Sequence, residues 1–315
     1  MRRHLTALGT TAIALSAVSA CHVGTSSTGG NTEPPPNTVV DDATGVTVYT
    51  PEFQVPPGDS FTCFYMNYKT AEELSIIGGD GIQGQGGHHI LLYYATDPRP
   101  VDTHPCDDAE MTNLNQISGS AGKEGQVLSL PPGLAIKVPA GKQLVVQAHY
   151  INITGKTQTV RDWVKMEKGI PSQIHNYVNY FVTDDEGFQV PPSAPLTRTT
   201  ECVVDRDYQL AISLPHMHEY GSHFTLEVLD ANRNHLDTPI DTTWSPVYTS
   251  HPPIKVYDMS APYLLKKGQI LRQTCAWNNT TTDPLLFPRE MCVGFMYYWP
   301  GAGDITCNMT LPPSP

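Results

Sequence analysis

The sequence predicts an all-β fold made of two tandem antiparallel β-sandwich domains of jelly-roll-like type. Three observations predict it. Charged residues are only 16% of the 315-residue chain, while Pro (28), Gly (25) and Tyr (15) are abundant, a balance that suits short strands and turns better than helices. The apolar runs are short, rich in β-branched and aromatic residues, and bordered by Pro or Gly. A loose echo divides the chain: VPAGKQLVVQAHY in the first half and LKKGQILRQTCAW in the second each set a Gly turn before a strand that opens on Lys or Gln.

Along the chain, residues 1–20 read as a secretion signal. Arg2 and Arg3 form a positive start, and the apolar run over 5–17 is too short to span a membrane. Val18-Ser19-Ala20-Cys21 has the form of a bacterial lipobox, so Cys21 is expected to carry a lipid after cleavage. His22, in place of Asp, resembles signals sorted to the outer membrane of Gram-negative bacteria. Residues 21–45, rich in Ser, Thr, Gly and Pro, read as a flexible tether. From residue 46 the strand candidates are VTVYTPEFQVPP, HHILLYYA, LAIKVPAGKQLVVQAHYINI, YVNYFV, DYQLAISLPHMH, HFTLEVLD, QILRQTCAW and CVGFMYYW. No stretch has the period of an amphipathic helix of three turns. The polar segment DWVKMEKGIPSQ (162–173) places a boundary near 170, so 46–170 and 171–315 each suit one sandwich.

The formal net charge is −12, which argues against nucleic acid as a partner. Export implies an oxidising compartment. Beyond Cys21 there are cysteines at 63, 106, 202, 275, 292 and 307, an even set that suggests three disulfides. Spacing leaves the pairing open, and the absence of CxxC argues against a zinc ribbon or thioredoxin-type motif.

Histidines carry the chemistry. LPHMHEY holds His216 and His218, which share one face of a strand because side chains alternate. His88 and His89 are neighbours, so they can share a metal only where the strand bends or bulges; Gly86 and Gly87 just before them make that cheap. His149, two residues after Gln147, can supply a third imidazole in the same domain. Met217 faces away from its flanking histidines, toward a core, and His104, His175, His223, His235 and His251 read as structural or surface residues. Spacing alone supports a histidine metal protein and no more.

The order HHILL, QAHY, HMH, EMCVGFMYY resembles the copper type II, ascorbate-dependent monooxygenases, the family of peptidylglycine α-hydroxylating monooxygenase and dopamine β-monooxygenase, over most of residues 50–310. The resemblance implies two β-sandwich domains with one copper each. His88, His89 and His149 would hold the first; His216, His218 and Met291 would hold the second, with these last three as the catalytic set. Met291 rests on the resemblance alone. The resemblance also pairs Cys63 with Cys106, Cys202 with Cys307, and Cys275 with Cys292. It implies O2 and a one-electron donor such as ascorbate as co-reactants, two coppers separated by a solvent-filled cleft, and Gln147 as a polar group in that cleft. Imidazole serves both copper oxidation states and a thioether favours the reduced one.

Departures from the family bear on the substrate. The peptide-amidating members anchor a carboxylate through an arginine, an asparagine and a tyrosine; the matching positions are Leu214, Val293 and Phe295. Peptide amidation is therefore not expected, and an uncharged or apolar small molecule is. A membrane partner is expected only through the lipid anchor. The competing expectation is a non-catalytic extracytoplasmic lipoprotein that binds copper or passes electrons.

Overall fold

The computed structural model describes residues 37–121, 128–249 and 251–312. The signal sequence, Cys21 and most of the tether lie outside these residues. The first strands are β1 (Thr38–Asp41), β2 (Gly45–Tyr49), β3 (Phe53–Val55), β4 (Gly58–Lys69), β5 (Leu74–Ile82), β6 (Gly87–Ala95), β7 (Asp102–Pro105) and β8 (Leu114–Ala121). They continue with β9 (Leu128–Ser129), β10 (Leu134–Val138), β11 (Gln143–Asn152), β12 (Gln158–Val160), β13 (Trp163–Lys168), β14 (Asn176–Asp184), β15 (Pro195–Val203) and β16 (Tyr208–His216). The last are β17 (Gly221–Leu229), β18 (His235–Thr243), β19 (Lys255–Val256), β20 (Tyr263–Leu265), β21 (Ile270–Asn278), β22 (Val293–Trp299) and β23 (Ile305–Asn308). One four-residue helix, α1 (Asp108–Met111), is closed by a capping box in which Asp107 and Glu110 exchange bonds.

The all-β sandwich architecture is thus observed. In the first half, the sheet β7-β4-β11-β6-β8 packs one face against β2, β13, β5 and β10, burying Val46, Phe64, Ile90, Leu92, Val146 and Val164. In the second half, the sheet β15-β21-β17-β18 packs against β14, β22 and β16 around Phe181, Phe224, Leu226, Met296 and Trp277. Met217 lies in this second core, as its alternation with the flanking histidines predicts. The two sandwiches share one continuous sheet. β10 and β14 run parallel with Ile136 opposite Val178, so the two inner layers join edge to edge. Val178 and Tyr180 then pack into the first core although their strand belongs to the second sandwich.

The sequence reading missed several long strands. β4, β5, β15 and β18 lack a clean alternating pattern: β5 contains GGDG, and β15 and β18 carry polar and Pro residues on an exposed face. The tether reading overreached at its end. Thr38–Asp41 pairs antiparallel with Val46–Tyr49, so this stretch is an edge strand rather than free linker. The three disulfides are Cys63–Cys106, Cys202–Cys307 and Cys275–Cys292, the pairing that the family resemblance implied.

Candidate metal centre

His88 and His89 sit at the start of β6. Opposite them, His149 pairs with His89 while Tyr150 pairs with Gly87. His88 is therefore the extra residue of a β-bulge, which turns two adjacent side chains toward one point. Gly86, at φ +84°, supplies the left-handed turn that leads in. Ligand nitrogens of His88, His89 and His149 lie within 4.8 Å of one another. His149 is fully buried, and its Nε2 meets Asp59 Oδ1 at 2.7 Å, which leaves Nδ1 as the inward atom. Phe61 stacks on the same ring, with centroids 3.8 Å apart. Gln147 lies on the same face, lines the same cavity as His89, and its amide donates to Met111 Sδ at 3.3 Å.

His216 ends β16, and His218 follows in a tight loop held from one direction. Backbone N–H groups of His218 and Tyr220 donate to Glu290 Oε2 (3.1 Å) and Oε1 (2.7 Å). His218 Nδ1 meets Arg289 O at 3.0 Å, and Trp244 Nε1 donates to His218 O at 2.8 Å. Glu290 is fully buried, and burial pushes its carboxyl up to about 7 against the two N–H groups that pull it down. Met291 is the next residue. β22 then pairs with β16, setting Val293 opposite His216, so the methionine reaches the HMH segment by direct strand neighbourhood. His216 and Met291 line one cavity together with His89 and Gln147.

The two ligand sets are not separated by a cleft, and this corrects the expectation carried by the family resemblance. The His88 ring lies 4.5 Å from His149 and 4.8 Å from His218, centroid to centroid, and 6.1 Å from His216. The bulge pushes His88 outward until it touches the second half, and five imidazoles form one continuous cluster.

The cluster fits a metal on chemical grounds. Nε2 of His88, Nδ1 of His149 and Nε2 of His218 are buried with no hydrogen-bond partner among the described residues. Nδ1 of His88 and of His89 face each other at 2.9 Å. Buried lone pairs without donors are costly unless something electrophilic satisfies them. Burial first, then neighbouring rings, holds His88, His89 and His216 well below the usual imidazole range, and burial pushes His218 down to about 4. These four rings are neutral at pH 7, the form that binds metals. Asp59, bonded to the outer nitrogen of His149, and the Arg289 carbonyl, bonded to that of His218, orient their rings as partners of ligating histidines do.

Sequence reasoning missed Asp59, Phe61, Arg289 and Glu290. Only Glu290 carried a signal, as a carboxylate beside Met291 at the head of an apolar strand. Of the positions replacing the family's carboxylate anchors, Leu214 and Phe295 line the cavity, whereas Val293 is core. The cavity, about 540 Å³, is walled mainly by apolar and aromatic side chains.

No family model matches the chain, and no curated protein matches it. Among solved structures it is similar to a recombinant N-glycanase F (PNGase F), at 10% identity, 84% of this chain, 99% of that chain and a TM-score of 0.37. It is also similar to the Sulfolobus turreted icosahedral virus structure (13% identity, 80% and 56% coverage, TM-score 0.23). A structure of infectious bursal disease virus, Gx strain, gives 6% identity, 84% and 74% coverage and a TM-score of 0.23.

Proposed function

We propose that this chain is an extracytoplasmic, lipid-anchored, two-copper monooxygenase. It hydroxylates a C–H bond of an uncharged or apolar small molecule, with O2 and a one-electron donor such as ascorbate. The observation that carries the reading is the joining of the three-imidazole set to His216 and His218 in one ring cluster, of which His89 and His216, together with Met291, line an apolar cavity. Copper bound there would supply the one-electron chemistry that O2 activation needs.

The chain's own residues supply the rest. His88, His89 and His149 would hold one ion and His216, His218 and Met291 the other. Asp59 and the Arg289 carbonyl fix the ring orientations, and Glu290 fixes the loop of His218. Leu91, Leu214 and Phe295 hold an apolar substrate against the histidine end and exclude water there. The chamber favours an enzyme over a copper carrier, because a carrier has no use for an apolar space of this size. Three disulfides suit the oxidising side of a membrane.

Copper stoichiometry of the signal-free protein, with X-ray absorption on the reduced form, tests the ligand sets. Two coppers per chain are expected, with a sulfur scatterer that is lost in Met291→Ala and kept in His149→Ala. Fewer than two, or no sulfur, overturns the assignment. O2 uptake that depends on an added apolar compound then separates the enzyme from a copper-binding protein.

A further inference from the structure

The cavity has a second polar end. On β6, His89, Leu91 and Tyr93 all line it, each two residues from the last. On β22, Phe295 and Tyr297 line it in the same direction from Val293, which lies opposite His216. Two strands from different halves and different sheets thus run away from the histidines along the cavity wall, and each brings a phenol to it. Four residues of strand separate each phenol from the histidine level, roughly 13 Å along the backbone. Tyr180 of β14, paired in register with Tyr297, is the third phenol at this end.

The three hydroxyls are not equivalent. Tyr180 and Tyr297 bond each other, O to O at 2.5 Å, which uses one of their two protons. Tyr93 is 6% exposed and has no hydrogen-bond partner among the described residues. Two O–H donors are therefore left at this end. Burial keeps all three phenols protonated well above neutral pH. Among the described residues no Lys or Arg lines the cavity, and the one carboxylate, the exposed Asp107, gives one oxygen to the cap of α1, accepting from Glu110 N at 2.7 Å. An anionic head would meet no lysine or arginine among the described residues and lose its hydration, whereas a neutral acceptor oxygen would meet two unspent donors.

We propose that Tyr93, with the Tyr180–Tyr297 pair, is the substrate-anchoring site. The ligand class is a neutral amphiphile, with an apolar body along Leu91, Leu214 and Phe295 and one carbonyl, ether or hydroxyl oxygen held by the phenols. The atom to be oxidised then lies at the opposite end, against His216 and Met291. The inference rests on the proposed reading for which end reacts, but the binding claim stands apart from metal and turnover.

Three matched probes test it on the signal-free chain without metal, with affinity read by calorimetry or ligand-observed NMR. They are benzylacetone, butylbenzene and phenylbutyrate. Benzylacetone is expected to bind about tenfold more tightly than butylbenzene, and phenylbutyrate more weakly than both. Tyr93→Phe combined with Tyr297→Phe leaves the Tyr180 hydroxyl as one remaining phenol donor, so it is expected to bring benzylacetone down toward the level of butylbenzene and leave butylbenzene unchanged. Equal binding of ketone and hydrocarbon by the native chain would overturn the proposal, and so would preferred binding of the carboxylate. The native-chain comparison decides even if the double variant folds poorly. Loss of copper binding alone would sink the monooxygenase reading while leaving this anchor untouched.

Discussion

The two halves of the molecule are built on one plan, and only one of them gathers histidines at the shared position. FQVPP occurs at 53–57 and again at 188–192. Phe53 packs edge-on to Tyr150, and Phe188 stacks on Trp277. The Asn152 amide donates to Val55 O, Pro56 O and Lys156 O, and the Asn279 amide donates to Val190 O, Pro191 O and Asp283 O. Even the bulge recurs: β11 against β6 slips between His89 and Gly87, and β21 against β17 slips between His223 and Gly221. By this register His223 is the counterpart of His89, and Ala276 that of His149. His223 nevertheless faces solvent and bonds Asp241 at 2.7 Å. The face that holds a histidine cluster in the first half is a wet outer face in the second. A histidine at the right place in the fold is not a site. What makes one is the second half closing over that face, bringing β16 and β22 against β6 and β11.

The comparison can be broken at its strongest point first. His89→Ala is expected to drop copper from two per chain toward one, measured by metal analysis after dialysis. His223→Ala, its positional twin, is expected to leave two. Equal losses would mean that the register equivalence carries function after all.

Glu290→Gln sharpens the same contrast from the second half. A carboxylate offers an acceptor oxygen to each of the His218 and Tyr220 N–H groups, whereas an amide offers one oxygen and sets an NH2 against the other donor. Copper affinity of the His216/His218 set is expected to fall about 10–100-fold, with the His88/His89/His149 set unchanged. Competition with a chelator would read the two sets separately.

A third test uses the position just before β13 and β22. In the second half it is Cys292, bonded to Cys275; in the first it is Asp162, buried and bonded to Tyr150 and Gly84 N. Burial raises the Asp162 carboxyl to about 6 from an ordinary 3.8. The native state then holds more protons than the unfolded chain between those values. Its contribution to stability is fully present below pH 3.8 and is lost as pH rises through 6. Asp162→Asn should remove that loss, worth about 3 kcal/mol at most, so urea midpoints at pH 5 and pH 8 should move closer together in the variant.

The smallest effects concern the shared scaffold. Asn152→Ala and Asn279→Ala each remove a clamp of three carbonyl bonds. Each is expected to cost about 2 kcal/mol, and the two should agree within about 1 kcal/mol. A large disagreement in thermal unfolding would show that the halves repeat in form but not in strength.

Much of this was legible in the sequence, for identifiable reasons. β-branched and aromatic content and Pro/Gly borders marked the strands that carry His88, His89, His149 and His216, because those strands pack on both faces, β11 being buried at nearly every residue. The Gly86-Gly87 pair announced the bulge at His88, since a positive φ costs glycine little. Glycine-rich β5 and the polar β15 and β18 hid because no period marks them. Met291 was reachable only through the family resemblance, as its neighbourhood with His216 is a contact between strands far apart in the chain. The closeness of the two histidine sets was not legible at all. It depends on how one half sits on the other, and no spacing within either half encodes that.

The seam between β10 and β14 has a consequence for anyone who would divide the molecule. The link from Gly169 to His175 runs over the surface, with Ile170, Pro171 and Ser172 exposed, so it offers a natural place to cut. Each fragment would then present an open strand edge whose only matching edge is on the other piece. Made separately, the pieces should be poor proteins; made together, they should find each other, and a returning histidine cluster would report that they had.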